Sequence, residues 1–581
     1  MNYKKTQIVL LSFAATILIG LTACDDMLDP KVETKLTEEF ANASYTNTLA
    51  RSVALYTFLP NGLSYIDGAM MASASDEAEH TLETSAIHKF NVGNWNAASN
   101  PDASAWTRNF EGIYACNLFL TSCDDVNMDY LKYDPAKQAD YNTRLASIDR
   151  WKYEARFLRA FYYFELIKRF GGVPIITEPL DMNSDLTGVK RDSLAKCVRF
   201  IVSECDSIAN HLPEPGRMTD EANNLGRATK AATLALKCRT LLYAASDLFN
   251  HPEKWAPGYP HPELISMADG IPQEERWKRA AEATNTFVAT LGGKFTLGNY
   301  RETRLFDNSE IIFNVRMGAS NSFEKANYPI GYYLGQSGTT PSQNLVDAYE
   351  MKDGSSFDWN NPELAADPYS NRDPRLQMSI LTNNYYFKDR AIECWKGGRD
   401  GEGVIHATRT GYYLYKYIDP NLDLLNNRTS VHNWVIFRYS ELLLDHAEAM
   451  NEAYGPSTRP SGYRAPNAVN SLNRVRQRDG VNMPDVSTSI TQEELREKIR
   501  NERRVELAFE DHRIWDVRRW MIAEETLGAP LRGVKIEKTS DDTFKYTPYI
   551  VEQRVFEKKM YLYPIPQSNI NAMGWPQNPL W

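Results

Sequence analysis

The sequence predicts a mainly α protein: tetratricopeptide-like helical hairpins as a scaffold, a long loop-rich region that carries the ligand site, and few short strands. Three observations lead there. Apolar residues recur at helical spacing through most long segments. Several of these segments carry alanine or aromatic residues where a paired helix would approach, although a 34-residue repeat is not clean. Long Gly/Pro/Asn/Tyr-rich stretches separate them at 60–104, 250–275, 318–345, 352–375 and 395–433. Loops of that length in a helical protein are more often functional than idle.

The elements follow in chain order. Trp106, Phe110, Ile113, Tyr114 and Asn117 mark one face of a helix, which places Trp106 in the core. The stretch 151–170 is apolar on nearly every side, so that helix is expected between neighbours, ending at the Gly-Gly-Val-Pro run 171–174. An alanine-rich helix is expected over 228–245, with Cys238 as a small core residue. A further helix at 438–453 sets His446 on its apolar face, where a hydrogen-bonded core histidine outweighs a catalytic base or ligand. Helices at 469–478 and 491–510 follow, the second opened by a Thr491/Glu494 capping box. Short pieces such as 310–315 are expected to form small hairpins, and no segment alternates long enough for a large sheet.

Composition bounds the function. The chain has 581 residues, 43% hydrophobic and 24% charged, which excludes collagen-like, disordered and polytopic membrane classes. Lys+Arg total 65 against 75 Asp+Glu, a net charge of -10 with no basic block, so no nucleic acid partner is expected. Lys4 and Lys5 precede an apolar run over 8–23, a signal peptide by pattern and, at 16 residues, short of the ~20 that span a bilayer. Leu21-Thr22-Ala23-Cys24 looks like a bacterial lipobox. Cleavage then leaves Cys24 lipidated, with 24–45 as a tether and 46–581 as a single domain. A plain signal peptide is the weaker reading, because the cysteine falls where cleavage is due. Several acyl chains, at ~0.8 kcal/mol per buried CH₂, anchor a protein stably to a membrane.

Enzyme signatures are absent: there is no Gly-x-Ser-x-Gly elbow, Walker loop or His-Glu-x-x-His. The cysteines after Cys24 form no CxxC pair and have no histidine at zinc-ligand spacing, so no metal site is assigned. The run 419–423 (DPNLD) faintly echoes a calcium loop, leaving a structural Ca²⁺ as the only cofactor to consider, but it reads better as a turn. Glu502 falls on the apolar stripe of the 491–510 helix and is expected in a buried ion pair with Arg474, Arg476, Arg513 or Arg518.

Several separate motifs carry a resemblance. In order they are the AxFLRAFYYFEL run 155–166, PSQNLVDAYEMKDG at 341–354 and NRDPRL at 371–376. RYSELLLDHAEA at 438–449, LNRVRQRDG at 472–480, IRNERRVELAFE at 499–510, HRIWDVRRW at 512–520 and YLYPIPQ at 561–567 follow. Together, over nearly the whole mature chain, they resemble the SusD/RagB family of Bacteroidetes nutrient-uptake lipoproteins. The ending Pro579-Leu580-Trp581, where Pro-Gly-Tyr-like tails are common, is a departure of little consequence.

The resemblance implies a helical protein that binds oligosaccharide, or in some members peptide, as the lid of a SusC-like TonB-dependent transporter, without catalysis. Asp25, Asp26 and Asp29 after Cys24 resemble the signal for display on the outer face of the outer membrane. A sugar ring offers an apolar C–H face and a hydroxyl rim, which an aromatic ring and neighbouring polar side chains can match. Trp95 in the NVGNWN run 91–96 fits that description, and the family often sets a Trp of this loop in its glycan platform. Asn94, Asn96 and Arg372 are the expected polar contacts, with Tyr65, Asp67 and Asp76 as weaker candidates. Tyr300, Phe306, Tyr328, Tyr332 and Tyr333 lie where the family supplies facing aromatics. The rival functions are a surface hydrolase and a scaffold that contacts only proteins.

Overall fold

The computed structural model describes residues 43–180, 186, 188–215, 224–304, 308–540 and 542–581. The signal peptide, Cys24 and Phe306 lie outside them. The long helices are α1 (Tyr45–Ala54), α2 (Ser104–Ser122), α3 (Gln138–Phe170), α4 (Leu194–Ile208) and α5 (Lys230–Ala245). They continue as α6 (Gln273–Leu291), α7 (Tyr439–Tyr454), α8 (Ala468–Arg476), α9 (Gln492–Glu506) and α10 (Arg513–Arg519). Each helix from α2 to α8 packs on the next in sequence, and α9 packs on α7. That serial pairing is the hairpin scaffold the sequence predicts.

The local chemistry explains the helix bounds. In α2, Trp106, Ile113 and Asn117 are buried as expected, while Tyr114 turns outward. The C-terminal half of α3 is buried all round, and its charged residues survive there by pairing. Arg169 bonds Asp102 at 2.9 Å and Glu165 at 2.7 Å. The Thr491/Glu494 capping box opens α9. That helix stops at Glu506, four residues earlier than the pattern implied, because Phe509 and Asp511 take left-handed backbone (φ 62° and 67°) before α10. His446 is fully buried, with Thr284 Oγ1 2.9 Å from Nδ1 and Pro466 O 2.9 Å from Nε2, the hydrogen-bonded core histidine expected. Burial lowers its pKa to about 4. Cys238 is core, and the six cysteines of the described chain are buried and free.

Between α6 and α7 the chain makes one long excursion, residues 292–438. Strand β2 (Ile311–Arg316) near its start pairs antiparallel with β8 (Asn433–Arg438) at its end. The segment at 310–315 is therefore half of a long-range ladder rather than a local hairpin. Within the excursion are β3 (Thr339–Pro341), which pairs with β1 (Ala78–His80), and β4 (Ile380–Leu381), which pairs with β7 (Tyr413–Leu414). β5 (Tyr386–Phe387) and β6 (Arg390–Ala391) form a tight hairpin. After α10 comes the longest ladder, β9 (Leu531–Lys538) with β10 (Phe544–Glu552). The sheets among the described residues are all two-stranded.

A lattice of buried charges sits at the base of the excursion. Arg438, at the end of β8, bonds Glu310 (2.7 Å), Glu506 (2.6 Å) and Glu510 (2.7 Å). Arg478 bonds Glu310 and Glu506, and Arg375 bonds Asp373, Glu502 and Glu506. Burial alone would raise the Glu506 carboxyl, but the guanidiniums of Arg478, Arg438 and Arg375 outweigh it and hold it well below the usual range. Glu502 is in a buried ion pair as expected, with Arg476 and Arg375. Of the other expected partners, Arg513 holds Asp76 instead, Arg518 donates to the carbonyls of Ile514 and Met560, and the Arg474 guanidinium lies 5.5 Å from the Tyr439 ring centroid.

Two predictions follow from these buried groups. Arg438→Met withdraws the one guanidinium shared by the buried carboxylates of Glu310, Glu506 and Glu510, so unfolding free energy should drop by about 3–5 kcal/mol in denaturant titration. A change below about 1 kcal/mol would show the lattice to be dispensable. Glu77 behaves in the opposite sense: burial and then the neighbouring Asp76 raise its pKa to about 8. The folded protein keeps a proton that the unfolded chain releases above its ordinary ~4.3. Stability should therefore fall as pH rises through that window, and Glu77→Gln should abolish the slope. The melting-temperature gain of the variant over the parent should widen from about pH 5 to about pH 8, and a gap that does not vary with pH would refute the assignment.

Candidate functional site

Most rings expected at a binding surface are packing residues. Trp95 is only 4% exposed. Its ring meets Phe90 at 5.0 Å and Tyr563 at 5.2 Å, both edge-on, and Trp581 at 4.6 Å. The unusual tail residue Trp581 thus covers the loop tryptophan, and burying two large apolar faces together outweighs leaving either in water. Asn94 and Asn96 remain exposed beside it, and Asn96 Oδ1 accepts from the Ala98 and Ser99 amides to shape a turn.

The other candidates divide in the same way. The Tyr65 hydroxyl accepts from Arg108 (2.8 Å) and Arg169 (2.9 Å), tying that loop to α2 and α3. Asp67 is exposed at φ 48° and accepts from the Ala86 amide, while Asp76 is buried between Arg504 and Arg513. Tyr300 is buried in the charge lattice and accepts from Lys416 at 2.9 Å. Tyr328 and Tyr332 are buried too, their rings edge-on to Phe387 at 5.5 and 5.2 Å. Arg372 spends its guanidinium on the carbonyls of Val346, Tyr349 and Pro368. Trp95, Tyr300, Tyr328, Tyr332 and Arg372 are therefore corrected from contact residues to core residues. The run 419–423 is the turn expected: Asp419 accepts from the Asn421 amide and Ser430, and Asp423 from the Asn426 amide. Among the described residues no cluster of three or more His, Cys, Asp or Glu could hold a metal.

Three loops converge on the segment 395–411. Asp400 accepts from the Gly331 amide (3.1 Å) and pairs with Arg390, which fixes the turn 329–335 beside it. In that turn Tyr332 faces inward and its neighbour Tyr333 stands 57% exposed, next to Leu334 at φ 59°. Arg409 reaches β1 through Glu79 (Nε at 2.8 Å) and the loop after it through Glu83. The β9–β10 hairpin closes the other side. Gly411 and Gly533 permit that contact: a Cβ at Gly411 would lie 2.6 Å from Val534 O, and one at Gly533 2.7 Å from Thr410 Cα. Non-glycine residues with left-handed backbone occur along the excursion, including Leu334, Ser337, Asn384, Lys388 and His406. Such strain persists where surrounding structure enforces it and is common at ligand sites.

Between the segment 395–411 and the hairpin lies a cavity of about 360 Å³. The Tyr549 ring, Lys396, Glu402, Thr408, Arg409 and Lys535 line it. Tyr549 is half-buried and donates its hydroxyl to Arg409 O, and Lys535 Nζ lies 5.0 Å from its ring centroid. Tyr386, 69% exposed on β5, adds another open ring to this region of loops. A larger groove of about 740 Å³ beside α9 is lined by carboxylates such as Glu493, Glu494 and Glu497, and no aromatic side chain lines it. At a smaller groove Trp520 has guanidiniums about its ring, Arg519 at 4.7 Å and Arg500 at 5.1 Å from the centroid. Of these three, the loop-face cavity pairs a half-open ring with hydrogen-bonding groups. Its residues Tyr549, Lys396, Lys535 and Arg409 escaped the sequence reading. The signal was present in the alternation of 531–538 and 544–549, which reads as strand.

Trp95→Ala is accordingly expected to destabilise the fold by about 3–5 kcal/mol, seen as a lower denaturation midpoint. An unchanged midpoint would mean that the Trp95–Trp581 contact carries no packing energy.

Comparison with known proteins places this arrangement. Residues 309–581 match the family model described as SusD family, and residues 32–242 match one described as starch-binding associating with outer membrane. SusD-like protein P25 of Formosa agariphila is 22% identical over 545 residues, 87% of this chain and 88% of its own. SusD-like protein P38 of the same organism is 24% identical over 66% of this chain and 68% of its own. A solved SusD-like protein of Bacteroides fragilis superposes with a TM-score of 0.73 at 26% identity, covering 94% of this chain and 99% of that one. A second B. fragilis structure, described as a SusD-like carbohydrate binding protein, gives 0.72 at 26% identity over 91% and 98%. With both halves of its sequence matched and its helical scaffold shared, the chain belongs to the SusD/RagB family.

Proposed function

We propose that this protein captures oligosaccharide on its loop face at the cell exterior and hands it to a SusC-like TonB-dependent transporter, without breaking bonds. The observation that carries the reading is the cavity beside 395–411. Its Tyr549 ring can lie against the apolar face of a sugar, and Thr408, Glu402 and the basic side chains can meet hydroxyls. Tyr333 and Tyr386 are further exposed rings on the excursion, and tyrosines lose little rotamer freedom on contact. The carbohydrate-binding relative from B. fragilis supports the ligand class, and the outer-membrane description of the N-terminal family model supports the location. A lipidated Cys24 would supply the anchor.

Affinity electrophoresis over a polysaccharide panel, followed by calorimetry with the retained oligosaccharide, tests this reading. Tyr549→Ala should weaken binding about tenfold, whereas Tyr549→Phe, which keeps the ring, should stay near the parent value. No shortened product should accumulate on prolonged incubation. Retention of peptides in place of every polysaccharide would replace the ligand class, and product formation would replace the binding role with catalysis.

A further inference from the structure

We infer that the oligosaccharide held by the loop-face cavity is anionic, bearing uronate carboxylates or sulfate esters; this rests on the glycan-binding reading above. Two lysines line the cavity, Lys396 from the segment 395–411 and Lys535 from β9. The Lys396 amide donates to Ile536 O at 2.9 Å, which fixes the two backbones side by side. Both side chains are exposed, and neither ammonium is engaged by a carboxylate among the described residues.

The third cation, Arg409, differs. Its guanidinium is already bonded to the buried Glu79 and lies 3.7 Å from Glu83, so its charge is largely compensated. A single exposed carboxylate, Glu402, lines the same cavity. Among the lining side chains the two unengaged ammoniums thus outnumber the one carboxylate, within a chain whose net charge is -10. This is a local property: the larger groove beside α9 sets Asp347, Glu350, Glu493, Glu494 and Glu497 against Lys498. Distant acids do not cancel it, since screening at physiological salt limits charge effects to about 8 Å. Lys535 also lies over the Tyr549 ring. A sugar stacked on that phenol would thus bring a carboxylate or sulfate within reach of an ammonium, an arrangement that a neutral glycan does not require.

The test uses the mature chain in affinity electrophoresis against polygalacturonate, a sulfated carrageenan and neutral amylopectin. Retention by an acidic polymer is expected, weakening as salt rises from about 0.05 M to about 0.5 M. The first two polymers separate carboxylate from sulfate ester. The double variant Lys396→Gln/Lys535→Gln should lose roughly tenfold in affinity for the acidic polymer with an unchanged thermal melt. If amylopectin alone is retained, or if the double variant binds the acidic polymer like the parent, the anionic assignment falls while glycan binding stands. Retention of none of the three overturns both.

Discussion

The arginine–glutamate lattice at the base of the 292–438 excursion is the constraint on which the architecture depends. It joins groups far apart in sequence: Glu310 at the start of β2, Asp373 and Arg375 mid-excursion, Arg438 at its end, Arg478 after α8 and Glu506 in α9. No member can be removed alone without leaving a buried charge uncompensated, and that asymmetry specifies one arrangement more strongly than apolar packing would. The lattice also explains the arginine-dense motifs of the C-terminal third. They serve a geometric purpose, since a planar guanidinium presents five N–H donors in a fixed fork that spans two or three carboxylates, against three donors on a single point charge in lysine.

The loop face inherits its shape from that base. With both ends of the excursion tied to α8 and α9, its loops project as one structured region. Their contacts run from loop to loop through Asp400, Arg409 and Glu79. Rings in these loops divide by parity. Where neighbouring residues point to opposite sides, one ring enters the Phe387 cluster and the next meets solvent, as with Tyr332 and Tyr333, and with Phe387 and Tyr386. This is why several aromatics in a polar, glycine-rich stretch do not equal several contact residues.

Charge is distributed unevenly over this surface. Five carboxylates border the groove beside α9, and two unpaired lysines, Lys396 and Lys535, line the loop-face cavity. A local surplus of one sign of charge can persist in this way on a molecule that is acidic as a whole.

The sequence by itself determined the helical class, the bounds of the helices at 230–245, 439–454 and 468–476 within a few residues, the Thr491 cap, the core role of His446 and the ion-paired state of Glu502. These follow from periodicity, local capping chemistry and the cost of burying a lone charge, all readable within a turn or two of chain. The motif order also sufficed for the family. Only the tertiary structure decided which aromatics face outward. Trp95 has a polar, glycine-containing neighbourhood in sequence, yet its partner Trp581 is 486 residues away, beyond what local pattern can show. The same holds for the cavity: Lys396, Tyr549 and Lys535 come together only because Gly411 and Gly533 let a C-terminal hairpin press against a loop from mid-chain. Burial depends on what folds over a residue, and long-range topology settles that.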